Sequence, residues 1–352
     1  MQALRVVPIL VLSLFFAAPL MAQQSPVAIV IHGGAGTIKK ENLSDAQEAA
    51  YREKLREAVR AGHMVLNDGG DSLDAVTRAI NILEDSPLFN AGKGAVFTNA
   101  GENELDASIM RGDTLNAGAV TGVKHVRNPI LLARKVMEES RHVLLSGSGA
   151  EEFGRAQGID MVEQGYFRTE HRWEQLQEAK EKDSYGLDPR EEGEDEADAS
   201  GDKEAAAGNG SDDSFFSTVG AVAIDRNGKI AAGTSTGGQT NKRYGRIGDS
   251  PIIGAGTYAN NETGGFSGTG NGEFFLRQLA THDVHALMAY QGLSMEEAMN
   301  RVVEKLLDMG AGAGLIGLDK EGNIKAVFNT EGMYRAWVDK SGDTTVRIYG
   351  DE

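Results

Sequence analysis

The sequence predicts an α+β fold in which antiparallel sheets stack face to face with helices outside them. Strand-like and helix-like patterns come in blocks in both halves of the chain, which argues against strictly alternating βαβ units. Two turn signals, Asp225-Arg-Asn-Gly228 and Asp319-Lys-Glu-Gly322, each separate β-rich runs and read as hairpins. At 352 residues the chain is long enough to bury a substantial core, and no internal repeat divides it.

Taken in order, residues 1–22 read as a secretory signal. Met1 to Arg5 carries one positive charge, Val6 to Leu20 is apolar apart from Ser13 and two prolines, and Ala22 offers a small residue for cleavage. The run is too short and poorly flanked for a membrane span. The mature protein is therefore expected to be exported to the periplasm, with no membrane attachment after cleavage. Residues 27–31 form a short apolar strand running into a tight loop at His32-Gly-Gly-Ala-Gly36. Residues 45–67 show helical periodicity through Leu55, Val59 and Leu66. Asp71 is placed to cap a second helix carrying Leu73, Val76, Ile80 and Leu83, with Pro87 beyond its end. A glycine-rich loop at 87–97 precedes an alternating strand at 104–110. Asn128-Pro129 reads as a cap and first-turn pair for a helix to Ser140. A strand at 143–145 leads into a further helix.

Periodicity is lost over 174–214, and a linker over about 183–214 is too poor in apolar residues to offset the entropy of ordering. β pattern resumes at 218–224 and 229–235. Residues 273–290 and 294–309 are helical, and strands at 313–318 and 323–328 flank the second turn.

Composition removes several function classes. There are no cysteines, so disulfides, thiolate catalysis and cysteine-ligated zinc are all excluded. The net charge of −17 argues against a nucleic-acid partner. Eleven Asp/Glu against two Lys/Arg in residues 188–213 place a net −9 of that charge in the linker alone.

Chemistry concentrates after the linker. The strand opening on Thr218 is followed by Gly233-Thr-Ser-Thr-Gly-Gly238, Gly245-Arg-Ile-Gly-Asp-Ser-Pro251 and Ser267-Gly-Thr-Gly-Asn-Gly272, all dense in hydroxyls and glycines. A threonine hydroxyl is a poor nucleophile without a base beside it. A free α-amino group on the same residue, with a pKa of roughly 7.7–8.0, meets that need once the chain is cut before it. β-branched residues also open strands for reasons of packing, and pattern alone leaves both readings open.

These motifs, with Thr257-Tyr-Ala-Asn-Asn261 and, in the first half, His32-Gly-Gly-Ala-Gly-Thr37, Pro87-Leu-Phe-Asn-Ala-Gly92, Glu104-Leu-Asp-Ala-Ser-Ile-Met110 and Asn128-Pro129, resemble the plant-type (type 2) L-asparaginase and isoaspartyl aminopeptidase family of N-terminal-nucleophile hydrolases. The resemblance covers nearly the whole mature chain apart from the linker. It implies a four-layer αββα sandwich and autocleavage between Ser217 and Thr218. An α subunit of residues 23–217 and a β subunit of 218–352 would then share one composite domain, and two such units would pair as a heterotetramer. It implies that Thr218 is both cleavage residue and nucleophile, that the Thr236 hydroxyl orients it, and that Thr269 and the Gly270 N–H form the oxyanion hole. Arg246 would clamp a substrate carboxylate and Asp249 its α-ammonium, with Gly272 and Asn90 completing the pocket. No cofactor serves catalysis, but a structural sodium ion is expected in the loop carrying Leu83, Glu84, Ser86, Phe89, Ala91 and Lys93.

The expected activity is hydrolysis of β-aspartyl (isoaspartyl) dipeptides and L-asparagine. Two alternatives stand beside it: a glycosylasparaginase, whose Thr-Gly-Asn-Gly form is shared at residues 269–272, and an unprocessed aspartyl-peptide-binding protein. Ser217 departs from the Gly or Asp common in the family. His282-Asp-Val-His285 lacks the glutamate and third ligand of a zinc site and reads as a solvated helix face.

Overall fold

The computed structural model describes residues 26–182 and 218–352; the expected signal segment, the acidic linker and Ser217 lie outside them. Strand β1 (Ala28–Gly36) runs through the His32-Gly-Gly-Ala-Gly36 motif, with a bulge between His32 and Gly34, where the sequence predicts a loop. Ser44 opens helix α1 (Asp45–Asn67) through a reciprocal capping box with Gln47. Asp71 caps α2 (Ser72–Glu84) by accepting the Asp74 N–H. A hairpin of β2 (Leu105–Arg111) and β3 (Ala117–Val123) follows, then α3 (Pro129–Glu139). The Asn128 side chain makes no cap there, and the Glu84 carboxylate accepts the Ile130 N–H instead, at 3.0 Å. β4 (Leu144–Ser146), α4 (Gly147–Ala156) and α5 (Glu170–Glu181) complete the first half. Helix α5 corrects the loss of order expected from residue 174. It buries Leu176 and Arg172, and this narrow contact leaves no apolar stripe to read.

The second half holds β5 (Val219–Ile224), β6 (Ile230–Thr236), β7 (Thr257–Asn260), β8 (Gly264–Gly270), α6 (Gly272–Gln278), α7 (Ala280–Gln291), α8 (Met295–Asp308), β9 (Ala313–Asp319), β10 (Ile324–Phe328), β11 (Gly332–Val338) and β12 (Thr344–Tyr349). The single helix expected over 273–290 is two, broken at Leu279, which takes a left-handed φ of 50°.

Among the described residues the strands form one sheet in the order β12-β11-β1-β5-β6-β2-β3-β4 and a second in the order β10-β9-β8-β7. Every pairing is antiparallel except β3 with β4. Helices α1, α2 and α3 cover the outer face of the large sheet, α7 and α8 cover the small one, and β1, β5 and β6 pack on β8 and β9 between them. The result is the αββα sandwich. Apolar side chains fill all three interlayer spaces. Strand β5 is buried on both faces, which is why its sequence is a continuous apolar run rather than an alternating one. Thr218 stands immediately before it, at the centre of the large sheet.

Candidate active site

Strand pairing builds the site. Val219 lies opposite Ser235 in the β5–β6 register, so the next step brings Thr218 to Thr236. Their hydroxyl oxygens are 3.0 Å apart. Both residues are buried. The Thr236 hydroxyl also accepts the Gly238 N–H at 3.0 Å, which fixes the turn leaving β6. Asn90 braces that turn from the other side: its Nδ2 donates to the Gly238 carbonyl at 2.7 Å, and its own carbonyl accepts the Gly237 N–H at 3.0 Å.

The second sheet supplies the facing wall. A Cβ on Gly265 would stand 2.6 Å from Val222, and one on Gly220 would stand 2.1 Å from Ser267 Oγ. Strands β8 and β5 therefore cross so that residue numbers rise on one as they fall on the other. The same two-residue step sets Thr269 opposite Thr218. Gly270 follows with φ 141°, a conformation that favours glycine. A Cβ at Gly272 would meet Arg246 Nη2 at 2.7 Å and Asp249 Oδ1 at 2.9 Å, so these three residues converge beside the end of β8.

The electrostatics of this corner are unusual. Burial raises the Asp249 carboxyl to about 7, with the Arg246 guanidinium pulling the other way. Asp249 Oδ2 is buried without a hydrogen-bond partner. Arg246 makes a two-pronged ion pair with Glu273, Nε to Oε1 at 2.8 Å and Nη2 to Oε2 at 2.9 Å. Burial works against the arginine charge, but Glu273, Asp249 and Asp106 together offset it and the pKa lies above the usual value.

The loop after α2 folds back on itself around Gly92 and Gly94. A Cβ on Gly92 would lie 2.3 Å from the Glu84 carbonyl oxygen, and one on Gly94 2.2 Å from that of Phe89 and 2.7 Å from that of Pro87. Carbonyls from this loop thus point inward, the donor chemistry a hard cation takes. Leu83, Glu84, Ser86, Phe89 and Ala91 are buried, while Lys93 places its Nζ over the Tyr166 ring at 5.6 Å.

The Glu84 side chain has a separate role. Its Oε1 accepts the Ile130 N–H and, at 2.6 Å, the Ser235 hydroxyl beside Thr236. Burial pushes this carboxyl from 4.5 up to about 8 against those hydrogen bonds. The folded chain keeps a proton that the unfolded chain releases near pH 4.5. The stability this group contributes is therefore full below that pH and is lost as pH rises through about 8. Glu84→Gln should flatten this loss between pH 5 and 8, and Glu84→Ala should cost about 1–3 kcal/mol. Urea unfolding at the two pH values compares them.

Several residues at the site are not legible in sequence. Glu273 reaches Arg246 only because α6 starts at the end of β8. Lys242 is buried on the loop after Gly238 and donates to the Glu104 carbonyl at 3.0 Å. Burial lowers its pKa, opposed by Asp106 and Glu104. Lysine in the Thr-Asn-Lys run after the glycines was the available signal. His32 is wholly buried beside Gly220. The pair in His282-Asp-Val-His285 is not a solvated face: His285 is buried, accepts or donates at Thr263 Oγ1 at 2.7 Å, and packs with His282 against Tyr258. Among the described residues no group of three or more His, Cys, Asp or Glu is arranged to hold a metal ion.

Comparison with known proteins gives a consistent picture. The family model described as asparaginase matches residues 25–348. An isoaspartyl peptidase of Escherichia coli K12 is 50% identical over 329 residues, 92% of this chain and 96% of the relative. A probable isoaspartyl peptidase/L-asparaginase of Arabidopsis thaliana is 42% identical, covering 92% and 98%. A plant-type L-asparaginase of Pyrococcus abyssi is 44% identical, covering 89% and 96%.

Proposed function

The chain belongs to the asparaginase family of N-terminal-nucleophile hydrolases, and from that premise we propose that it is an isoaspartyl peptidase and L-asparaginase that acts through Thr218. Its substrates are small molecules that carry an aspartyl group. The observation that carries the mechanism is the Thr218–Thr236 hydroxyl pair at the head of a central strand, with Thr269 on the facing strand.

Arg246 and Asp249 hold the aspartyl α-carboxylate and α-ammonium, which leaves the β-carbonyl at Thr218. The Thr218 hydroxyl attacks that carbon while its own α-amine takes the proton, and Thr236 orients the oxygen. The tetrahedral oxyanion is held by the Thr269 hydroxyl and the Gly270 N–H. The leaving amine or ammonia takes the proton back, and water clears the acyl-enzyme by the same steps. Support for the ammonium site is the buried, unpartnered Asp249 Oδ2, an acceptor without a donor. Glu273 takes the Nε and Nη2 edge of Arg246, and the Nη1 edge is the one that reads the substrate carboxylate. The Leu83–Lys93 loop, through the carbonyls of Leu83, Glu84, Ser86, Phe89, Ala91 and Lys93, would hold a sodium ion whose contribution is to keep Asn90 in place.

The pH profile follows. Asp249 reads an ammonium only when ionised, and the Thr218 amine serves as base only when neutral. With Asp249 near 7 and the amine at roughly 7.7–8.0, kcat/KM should fall below pH 7 more steeply than one proton allows. Asp249→Asn should raise KM and leave only the amine's limb. A profile unchanged by that substitution would remove Asp249 from the ammonium site.

Turnover of β-Asp-Leu, L-asparagine and a glycosylated asparagine decides the substrate class; clear preference for the glycan would overturn this reading. Asn271, the residue that raises the glycan alternative, is engaged with Gly312, donating to its carbonyl at 3.0 Å and accepting its N–H at 2.8 Å. It thus has a structural occupation of its own. Intact mass separates a processed enzyme from an uncut binding protein. Export to the periplasm rests on the pattern of residues 1–22, and pairing of two α/β units rests on the family; fractionation and solution mass test them. No helix among the described residues is long and apolar enough to cross a membrane.

A further inference from the structure

A continuous line of buried polar side chains runs between the two sheets beneath the site. His32 Nε2 lies 2.9 Å from Ser267 Oγ, which lies 2.7 Å from Thr234 Oγ1. Thr234 meets Thr257, Thr257 lies 2.9 Å from Ser108 Oγ, and Ser108 donates to the Ser250 carbonyl at 2.6 Å. The five side chains come from β1, β8, β6, β7 and β2, and all are buried. Each hydroxyl has one proton, and a carbonyl only accepts. The Ser108 proton is shared between the Ser250 carbonyl and Thr257, Thr257 donates to Thr234, the Thr234 proton is shared with Ser267, and the Ser267 hydroxyl donates to His32 Nε2. The Gly256 carbonyl, 3.0 Å from Thr234 Oγ1, shares the Thr234 proton. This direction gives every link a donor. It also puts the ring proton of His32 on Nδ1, and the Thr218 backbone accepts a hydrogen bond from this ring. Burial keeps the ring neutral, its pKa lowered to about 3.

The line reaches the strands that carry Thr218, Thr236 and Thr269 and the loop that carries Asp249. Thr234 stands two residues before Thr236 on β6, and Ser267 two before Thr269 on β8. Ser250 follows Asp249. His32 pairs with Gly220, two residues after Thr218. Side chains two apart on a strand share a face, so Thr234 sits directly behind Thr236 and Ser267 directly behind Thr269.

We propose that this seam from His32 to Ser250 is a positioning unit, which holds the strands that carry Thr218, Thr236 and Thr269 and the loop that carries Asp249 in the spacing the reaction needs. None of its members touches substrate. The inference rests on the hydrolase reading above. A hydrogen-bonded line in a low-dielectric interior is stiffened by mutual polarisation, and losing one member releases the links on both sides.

The test is Thr234→Val, with active sites titrated so that unprocessed chains do not count. We expect kcat for β-Asp-Leu to fall by about 10–100-fold, the scale of a displacement of about 1 Å at the reacting atoms, with KM changed by less than about threefold. Thr234→Ser, which keeps the hydroxyl, should return kcat to within about threefold of the parent. A seam that served folding alone would lower the melting temperature and leave kcat per titrated site within about twofold of the parent, and that result overturns the proposal. If Thr234→Val remains uncut, Ser108→Ala, which opens the seam at the end remote from Thr218, is judged by the same limits. ¹⁵N spectra of histidine-labelled parent protein give a readout independent of activity: His32 should be neutral with its proton on Nδ1, and a proton on Nε2 refutes the assigned direction. A parent protein that cleaves no β-aspartyl substrate refutes the hydrolase reading; an active parent with a fully active Thr234→Val variant refutes the seam alone.

Discussion

Thr218→Ala should leave the chain uncut and without measurable hydrolysis, because in the proposed mechanism one oxygen serves both reactions. In maturation it attacks the Ser217 carbonyl, the peptide nitrogen of Thr218 leaves as an amine, and the resulting ester is cleared by water. In turnover the same oxygen attacks substrate, now with that amine as its base. On the same proposal Thr236, whose hydroxyl lies 3.0 Å away, orients the Thr218 hydroxyl in both steps. Thr218→Ser keeps the oxygen but loses the methyl that restricts its rotamer, and should keep a fraction of each activity. Intact mass and Edman sequencing check this directly: the smaller chain of the parent should begin Thr-Val-Gly-Ala-Val. A Thr218→Ala protein that is processed and active would dispose of the N-terminal-nucleophile mechanism.

What could be read in advance depended on how local the cause was. The ends of α1 match the sequence reading because Ser44 and Gln47 cap each other at its start and a buried apolar stripe from Leu55 to Leu66 runs to its last turn. The start of α2 was legible for the same reason, through Asp71. The hairpin turns at Asp225–Gly228 and Asp319–Gly322 announce themselves by residue type. By contrast β3, β11 and β12 gave no reading, since a strand such as Ala117–Val123 is small, glycine-bearing and almost wholly buried, with no alternation to detect. The break at Leu279 carries neither glycine nor proline. The left-handed turn there is set by the packing of α6 and α7, which no local signal records.

The site divides in the same way. Its hydroxyls and glycines are dense enough in sequence to draw notice, and strand register then brings Thr218 to Thr236. Contacts that depend on how sheets cross stayed hidden. Glu273 on Arg246, Glu84 capping α3 while binding Ser235, and His32 on Ser267 join residues 27 to 235 positions apart. Each is a long-range polar contact whose residue types are ordinary in isolation. His285 misled for the converse reason: polar spacing on a helix reads as solvated, yet Tyr258 and Thr263 bury it.

Thr269→Ala should reduce kcat by about 10²–10³-fold while leaving KM and maturation much less affected. The geometric ground is the crossing of β5 and β8, with Gly265 on Val222 and Ser267 on Gly220, which sets Thr269 across from the nucleophile. A substrate carbonyl attacked from Thr218 develops its negative charge on the side of that facing strand, where water is excluded and a fixed hydroxyl acts with little reorganisation. The ground-state carbonyl gains far less from the same donor, so the loss falls on kcat rather than on binding. Thr269→Ser keeps the donor and should stay within about tenfold of the parent. Thr236→Ala should also act on kcat, but through the aim of the Thr218 oxygen rather than through charge on the substrate. The two are separable with an amide series of varied leaving groups. Removing the Thr269 donor weakens hydrolysis across the whole amide series and spares maturation, whereas misaiming the nucleophile also slows the cut at Ser217. Thr269→Ala with kcat within about tenfold of the parent would mean that the charge is held elsewhere, with the Gly270 N–H as its remaining donor.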